Sequence, residues 1–258
     1  MIKLLLNEIQ SFYFALLFFT RLRLPFFEIK NFDNFKKCIN YFPLVGLYLG
    51  LLNSLVYFIS NKLFINTQIS IIFYIIFYSW ITRALHEDGL ADFFDAFGGG
   101  KNKEHILKIL KDSGIGVFGT IVLIFNYLLK ILLLVNINNY LYFTIFITPF
   151  ISRIYILVIV KFYNYTEYND DKSKTPFRKN DVRILWLLLY IIISITFLFI
   201  INKILILFFI FAFLILLFFM KYVTDKIDGY RGDVLGAAQQ IFELYFIIAF
   251  YLIEVHRF

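Results

Sequence analysis

Long apolar runs, broken at short intervals by charged stretches, set the pattern of this chain. A helix that crosses a bilayer needs ~20 mostly apolar residues. Runs near 4–20, 41–60, 63–82, 115–135, 140–160, 184–201, 204–221 and 236–253 reach or approach that length. The run at 4–20 is interrupted by Asn7, Glu8 and Gln10, which also suits an amphipathic helix lying in the interface. The pair 184–201 and 204–221 is parted only by Asn202 and Lys203. The pattern predicts an all-α, polytopic membrane helix bundle of about eight transmembrane helices. No internal repeat or linker divides it, so residues 1–258 are expected to form one domain.

Composition strengthens that reading. The chain is 61% hydrophobic and 21% aromatic, with a mean hydropathy of +0.78, more apolar than soluble domains of this length. The first apolar run is not followed by a small-residue cleavage site, so no cleavable secretory signal is expected. Cys38 is the only cysteine, which excludes an intrachain disulfide and a cysteine metal cluster.

Charge orients the bundle. Most of the 25 Lys and Arg residues fall in the alternate connections 21–40, 83–114, 161–183 and 221–235, whereas Lys3, Lys62, Lys203 and Arg257 lie on the other side. The positive-inside rule places the four basic connections in the cytoplasm. The net charge of +7 is then explained by retained loop charges, with no nucleic acid partner.

The candidate chemistry lies in two of those basic connections. In 83–113, Asp88, Asp92 and Asp95 are spaced i, i+4, i+7, which puts three carboxylates on one face if the segment is helical. Acids at a membrane boundary need a partner, and a divalent cation is the obvious one. Gly89 permits close backbone approach, and Gly98-Gly99-Gly100 ends the acidic helix. Residues 101–111 read as a short amphipathic helix with Ile106, Leu107 and Leu110 inward. Asp112 then offers either a further metal ligand or a helix cap, with Ser113 beside it. His86 is a candidate for base chemistry or metal contact, although a lone His is more often structural.

In 221–235, Asp228, Gly229, Arg231, Gly232 and Asp233 form a plausible phosphate loop leading into a helix, or an ordinary interhelix turn. Lys130 and Arg153 sit inside predicted spans. They are expected to face the bundle interior or a polar cavity, with a phosphate or a carboxylate such as Asp92 as partner, or for Lys130 to snorkel to the interface.

The acidic stretch His86-x-Asp88-Gly89-Leu90-Ala91-Asp92-x-x-Asp95 resembles the signature of the adenosylcobinamide-GDP ribazoletransferase family, also called cobalamin-5′-phosphate synthase. The similarity extends in order through Phe19-Thr20-Arg21-Leu22 with Pro25, Tyr41 to Gly46, Lys111-Asp112-Ser113, Lys130-Ile131, Ser152-Arg153 and Gly229 to Ala237. Asp228 stands where the family usually has Gly, and Arg231 where it has Thr.

The resemblance implies an integral inner-membrane enzyme of a bacterium that uses Mg²⁺. Adenosylcobinamide-GDP and α-ribazole, or its 5′-phosphate, would give adenosylcobalamin, or its 5′-phosphate, and GMP, with the ribazole 5′-oxygen attacking the phosphorus that bears cobinamide. Asp88, Asp92, Asp95, Asp112 and Asp233 would serve as metal ligands or base. His86 would assist catalysis, and Arg21, Ser113, Lys130, Arg153, Gly229, Arg231 and Gly232 would bind substrate. A homo-oligomer stays open.

Rival classes fit less well. CDP-alcohol phosphotransferases have an Arg where Asp92 stands and a Gly where Lys101 stands. Aromatic prenyltransferases need a second acidic motif whose spacing Asp228 and Asp233 do not match. A cation transporter would place its acids near the bilayer midplane, not at one face.

Overall fold

The computed structural model describes residues 2–22, 32–112, 114–168 and 177–256. Pro25, Ser113 and Arg257, and parts of the basic connections 21–40 and 161–183, lie outside the described residues. Among the described residues eleven α-helices follow one another: α1 Ile2–Phe19, α2 Phe32–Lys37, α3 Phe42–Phe64, α4 Thr67–Ile81, α5 Leu85–Gly99, α6 Lys103–Ile109, α7 Val117–Val135, α8 Leu141–Phe162, α9 Ile184–Ile201, α10 Leu205–Ile227 and α11 Gly232–His256.

Among the described residues six helical stretches are long and apolar enough to cross a membrane, or seven if α4 and α5, bent by 85°, form one broken span. The expected spans 4–20 and 63–82 are not among the six. The shortfall at 63–82 has a local cause. Ile65 takes the left-handed conformation (φ 51°) and Asn66 caps the next helix by accepting from Ile69 N–H, so α4 has only 15 residues. At 1.5 Å per residue it is shorter than the ~30 Å hydrocarbon core.

α8 is the axis of the bundle. Of its apolar window 83% is buried, against 22% for α9 and 28% for α10, so the latter two are outer helices. Gly46 and Gly50 on α3 bring that helix onto α8, because a Cβ at either would overlap the Pro149 or Phe146 backbone carbonyl. Close approach through small residues is the usual basis of helix association in membranes. The outward faces of α7 and α10 carry exposed Phe118, Ile121, Phe125, Leu132, Leu207, Phe211 and Phe218, apolar surface that lipid covers.

α5 is positioned by an unusual bend. Arg83 (φ 59°) and Ala84 (φ 53°) both occupy the left-handed region, costing ~1–2 kcal/mol per residue. This turns α5 away from α4 and lays it against α11 and α7.

The basic connections meet at one end of the bundle. Lys103 pairs with Asp228 at 2.6 Å, Tyr165 bridges to Tyr230, and Arg21 N–H donates to the Ile81 carbonyl at 2.8 Å. The alternation of charge along the chain therefore corresponds to one shared face.

Candidate active site

The expected acidic helix is present, and Gly100 closes it. Its three aspartates have separate roles. Asp88 is exposed, Asp92 is half-buried and Asp95 is buried. Asp95 turns under α5 to cap α7: Gly116 N–H donates to its Oδ2 at 2.7 Å and Gly119 N–H to its Oδ1 at 2.9 Å. A Cβ on Gly116 or Gly119 would overlap this carboxylate, so those glycines are what admits it. Both oxygens of Asp95 are occupied by backbone donors at a helix N-terminus, a favourable place for negative charge. It anchors the fold here and does not share the exposed face of Asp88 and Asp92.

Asp233 takes its place beside them. α5 and α11 touch through glycine: a Cβ on Gly89 would lie 3.0 Å from Gly236 Cα and 3.1 Å from the Asp233 carbonyl oxygen. This is the close approach expected of Gly89. It sets the first turn of α11, with Asp233, against Asp88 and Asp92. The negative charges of Asp233, Asp88 and Asp95 all act on Asp92. Among the described residues no three His, Cys, Asp or Glu side chains form a ready metal cage. The donor set still suits one hard cation, because Mg²⁺ is typically held by one or two carboxylates with waters and substrate phosphates completing the shell.

Asp112 is exposed and accepts from Gly114 N–H at 3.3 Å, closing a turn within its own loop. It does not join a metal cage with the α5 acids among the described residues. The Asp228 to Gly232 turn is likewise built from protein contacts. Asp228 adopts φ 61° as it ends α10, a conformation that Gly takes without cost. Gly229 leaves room for the Asn164 carbonyl, which accepts from Tyr230 N–H at 2.9 Å. Arg231 is buried, donates to the Thr166 carbonyl at 3.3 Å and lies over the Tyr165 ring at 5.3 Å. Gly232 has open space where a side chain would be.

Lys130 and Arg153 face the bundle interior, as expected, but their partners are protein groups. Lys130 Nζ donates to Gln240 Oε1 at 2.8 Å and pairs with Glu243 Oε2 at 3.3 Å. Gln239 continues the network, donating to Glu243 at 2.9 Å and to Ser152 Oγ at 3.1 Å. Arg153, fully buried, donates from Nη1 to Tyr78 OH at 3.1 Å and to the Pro149 carbonyl at 2.7 Å. Asp92 is not among those partners. Arg153 Nε and Nη2 are buried with no hydrogen-bond partner among the described residues. Arg21 is exposed, donating from Nε to the Trp80 carbonyl at 2.7 Å beside the α4–α5 bend.

The polar residues of α11 were missed by the reading of local motifs. Their signal was present all the same: Gln239, Gln240 and Glu243 interrupt an otherwise apolar span, and an ionisable group there requires a partner.

Next to the carboxylates lies a cavity of about 150 Å³, lined by Phe18, Phe19, Phe42, Phe177 and His86, with Asp88 and Asp233 among its walls.

A family model for cobalamin-5-phosphate synthase matches residues 11–251. Several relatives bear the name adenosylcobinamide-GDP ribazoletransferase. That of Clostridium novyi (strain NT) is 32% identical over 90% of this chain and 92% of its own length. The Thermoanaerobacter sp. (strain X514) protein is 31% identical over 95% and 98%. The Shewanella baltica (strain OS185) protein is 33% identical over 94% of each. No solved structure matches the chain.

Proposed function

The chain belongs to the cobalamin-5-phosphate synthase family, and from that premise we propose that it joins adenosylcobinamide-GDP to α-ribazole, or to α-ribazole 5′-phosphate, with release of GMP. The observation that carries this reading is the meeting of Asp88 and Asp92 on α5 with Asp233 on α11 through the Gly89–Gly236 contact. Negative charge concentrated at the end of a basic face is the setting a cation-bound diphosphate requires.

Atom balance selects the nucleophile. A product made from the 5′-phosphate keeps that phosphate, so the 5′-oxygen is not the attacking atom and the expectation that it is must be corrected. A ribose ring hydroxyl forms the new P–O bond to the phosphorus bearing cobinamide. The bond to the distal phosphate breaks, GMP leaves, and the hydroxyl proton passes to a carboxylate. Asp88, exposed at the cavity wall, is placed to accept it.

Asp92 and Asp233 would hold Mg²⁺, with water and substrate phosphates completing its shell. When bound, the ion would offset charge on the diphosphate and on departing GMP. Arg21, exposed at the same end, would add positive charge toward the phosphates. The enzyme would sit in the bacterial inner membrane with this end in the cytoplasm, in keeping with the distribution of Lys and Arg.

The test is to supply purified protein in lipid nanodiscs with both substrates and Mg²⁺ and to follow GMP and the cobalamin product. Stoichiometric appearance of both is expected. Protein that stays folded and binds the substrates yet forms neither product would remove the assignment.

A further inference from the structure

We propose that the aromatic cavity beside Asp88 and Asp233 is the seat of the acceptor's planar base, the dimethylbenzimidazole ring of α-ribazole. This inference rests on the function proposed above and adds a subsite to it. The walls are phenyl rings set at angles to each other. Phe19 meets Phe42 with centroids 3.8 Å apart at 90°, and Phe42 meets Phe177 at 5.1 Å and 90°. Packed against one another, these rings offer faces and edges to a flat ring that lies against them in the cavity.

Size and polarity then choose among the ring systems of the two substrates. An apolar cavity of ~150 Å³ is enough to admit a benzene ring; this one, of about 150 Å³, opens toward the carboxylates, so a bicyclic ring would seat its benzo half inside and extend its other half toward them. A corrin macrocycle is far too large for it. Guanine carries N–H donors that Asp88 and Asp233 could meet, but its two acceptors, O6 and N7, would share the single donor of His86, and burying the other among phenyl rings without a partner is unfavourable. Dimethylbenzimidazole presents two methyl groups and one free ring nitrogen.

The cavity supplies one match for that nitrogen. His86 is 4% exposed and its Nε2 is buried with no hydrogen-bond partner in the protein. As Nε2–H it would donate to the ring nitrogen, which meets the demand of both atoms. With the base seated there, the ribose points to the Asp88 and Asp233 side of the cavity, where its hydroxyl is to be activated. His86 thus serves as a positioning residue for the acceptor.

The test measures equilibrium binding of α-ribazole and of adenosylcobinamide-GDP to the full chain in nanodiscs, for wild type and two variants. Leu235→Trp fills the cavity from the first turns of α11, and Phe177→Leu removes a wall ring from a connecting segment. Each is expected to raise the α-ribazole Kd by ~10-fold or more, the factor that loss of one good stacking partner gives, while the adenosylcobinamide-GDP Kd changes less than ~2-fold. Retained binding of adenosylcobinamide-GDP also shows that a variant is folded. An unchanged α-ribazole Kd in both variants overturns the proposal. So does weakened binding of adenosylcobinamide-GDP alone, which would seat guanine in the cavity. In either of those outcomes wild-type protein that still releases GMP leaves the assigned reaction standing, whereas wild-type protein that makes no GMP strikes at the reaction itself.

Discussion

Asp92→Asn is expected to lower kcat by ~10²–10³-fold, the range typical when one group that stabilises developing charge is lost, while expression and thermal stability stay near wild type. Asp92 is half-buried among like charges from Asp233, Asp88 and Asp95, so neutralising it relieves repulsion in the resting protein. The matched Asp95→Asn change is expected to act in the opposite way. Its amide replaces one of two oxygens that accept from Gly116 and Gly119 N–H, and the N–H left facing an NH2 group loses its acceptor at a cost of ~1–3 kcal/mol. Its thermal midpoint should fall, and what activity remains should track the folded fraction. Steady-state GMP release and a thermal scan on each variant check both halves. A wild-type rate for Asp92→Asn would take that residue out of the site.

Lys130→Met and Glu243→Leu are each expected to destabilise the protein by ~3–5 kcal/mol, because either one leaves an uncompensated charge inside the bundle. The pair stands at 3.3 Å with side chains only 6% and 3% exposed. Replacing both together should recover most of the loss, since an apolar pair of similar volume needs no charge compensation. Denaturant unfolding in detergent, carried out as a double-mutant cycle, reads the coupling directly. Single variants as stable as wild type would show that the pair is not a keystone of the bundle. Gln239 and Ser152 link Glu243 to α8, so the part not recovered in the double variant is the share of this link.

The parts of the fold that depend on neighbours in sequence were legible from it. The i, i+4, i+7 aspartates and the three glycines that follow them foretold α5 and its end, and Asn202-Lys203 foretold the break between α9 and α10. The bend at Arg83 and Ala84 was not legible. Neither residue favours the left-handed region, and no Gly or Pro marks the site, so packing of α5 against α7 and α11 imposes the turn. The same reasoning explains Asp95. Periodicity put it on a face with Asp88 and Asp92, but its carboxylate is claimed by Gly116 and Gly119 at the start of α7, a contact 21 to 24 residues away.

The chemistry divides along the same line. The family resemblance implied Asp233 as a ligand or base, yet its nearness to Asp88 depends on Gly89 meeting Gly236 across two helices. The aromatic cavity draws on α1, α3, α5, α8, α11 and the segment at Phe177. Phe19 and Phe42 fall within motifs of the family resemblance, but no local pattern brings them together with Phe18 and Phe177. Lys130 and Arg153 were rightly placed in the interior, where Glu243 and Tyr78 are their partners.

The proposed joint action of Asp88, Asp92 and Asp233 is on a cation-bound diphosphate. Its most direct test is GMP release by purified protein, supplied with adenosylcobinamide-GDP and α-ribazole, as Mg²⁺ is titrated from chelated zero. No release is expected in EDTA, with saturable recovery on adding Mg²⁺ and a rightward shift of that recovery in Asp233→Asn. Release in EDTA at the rate seen with Mg²⁺ would contradict it.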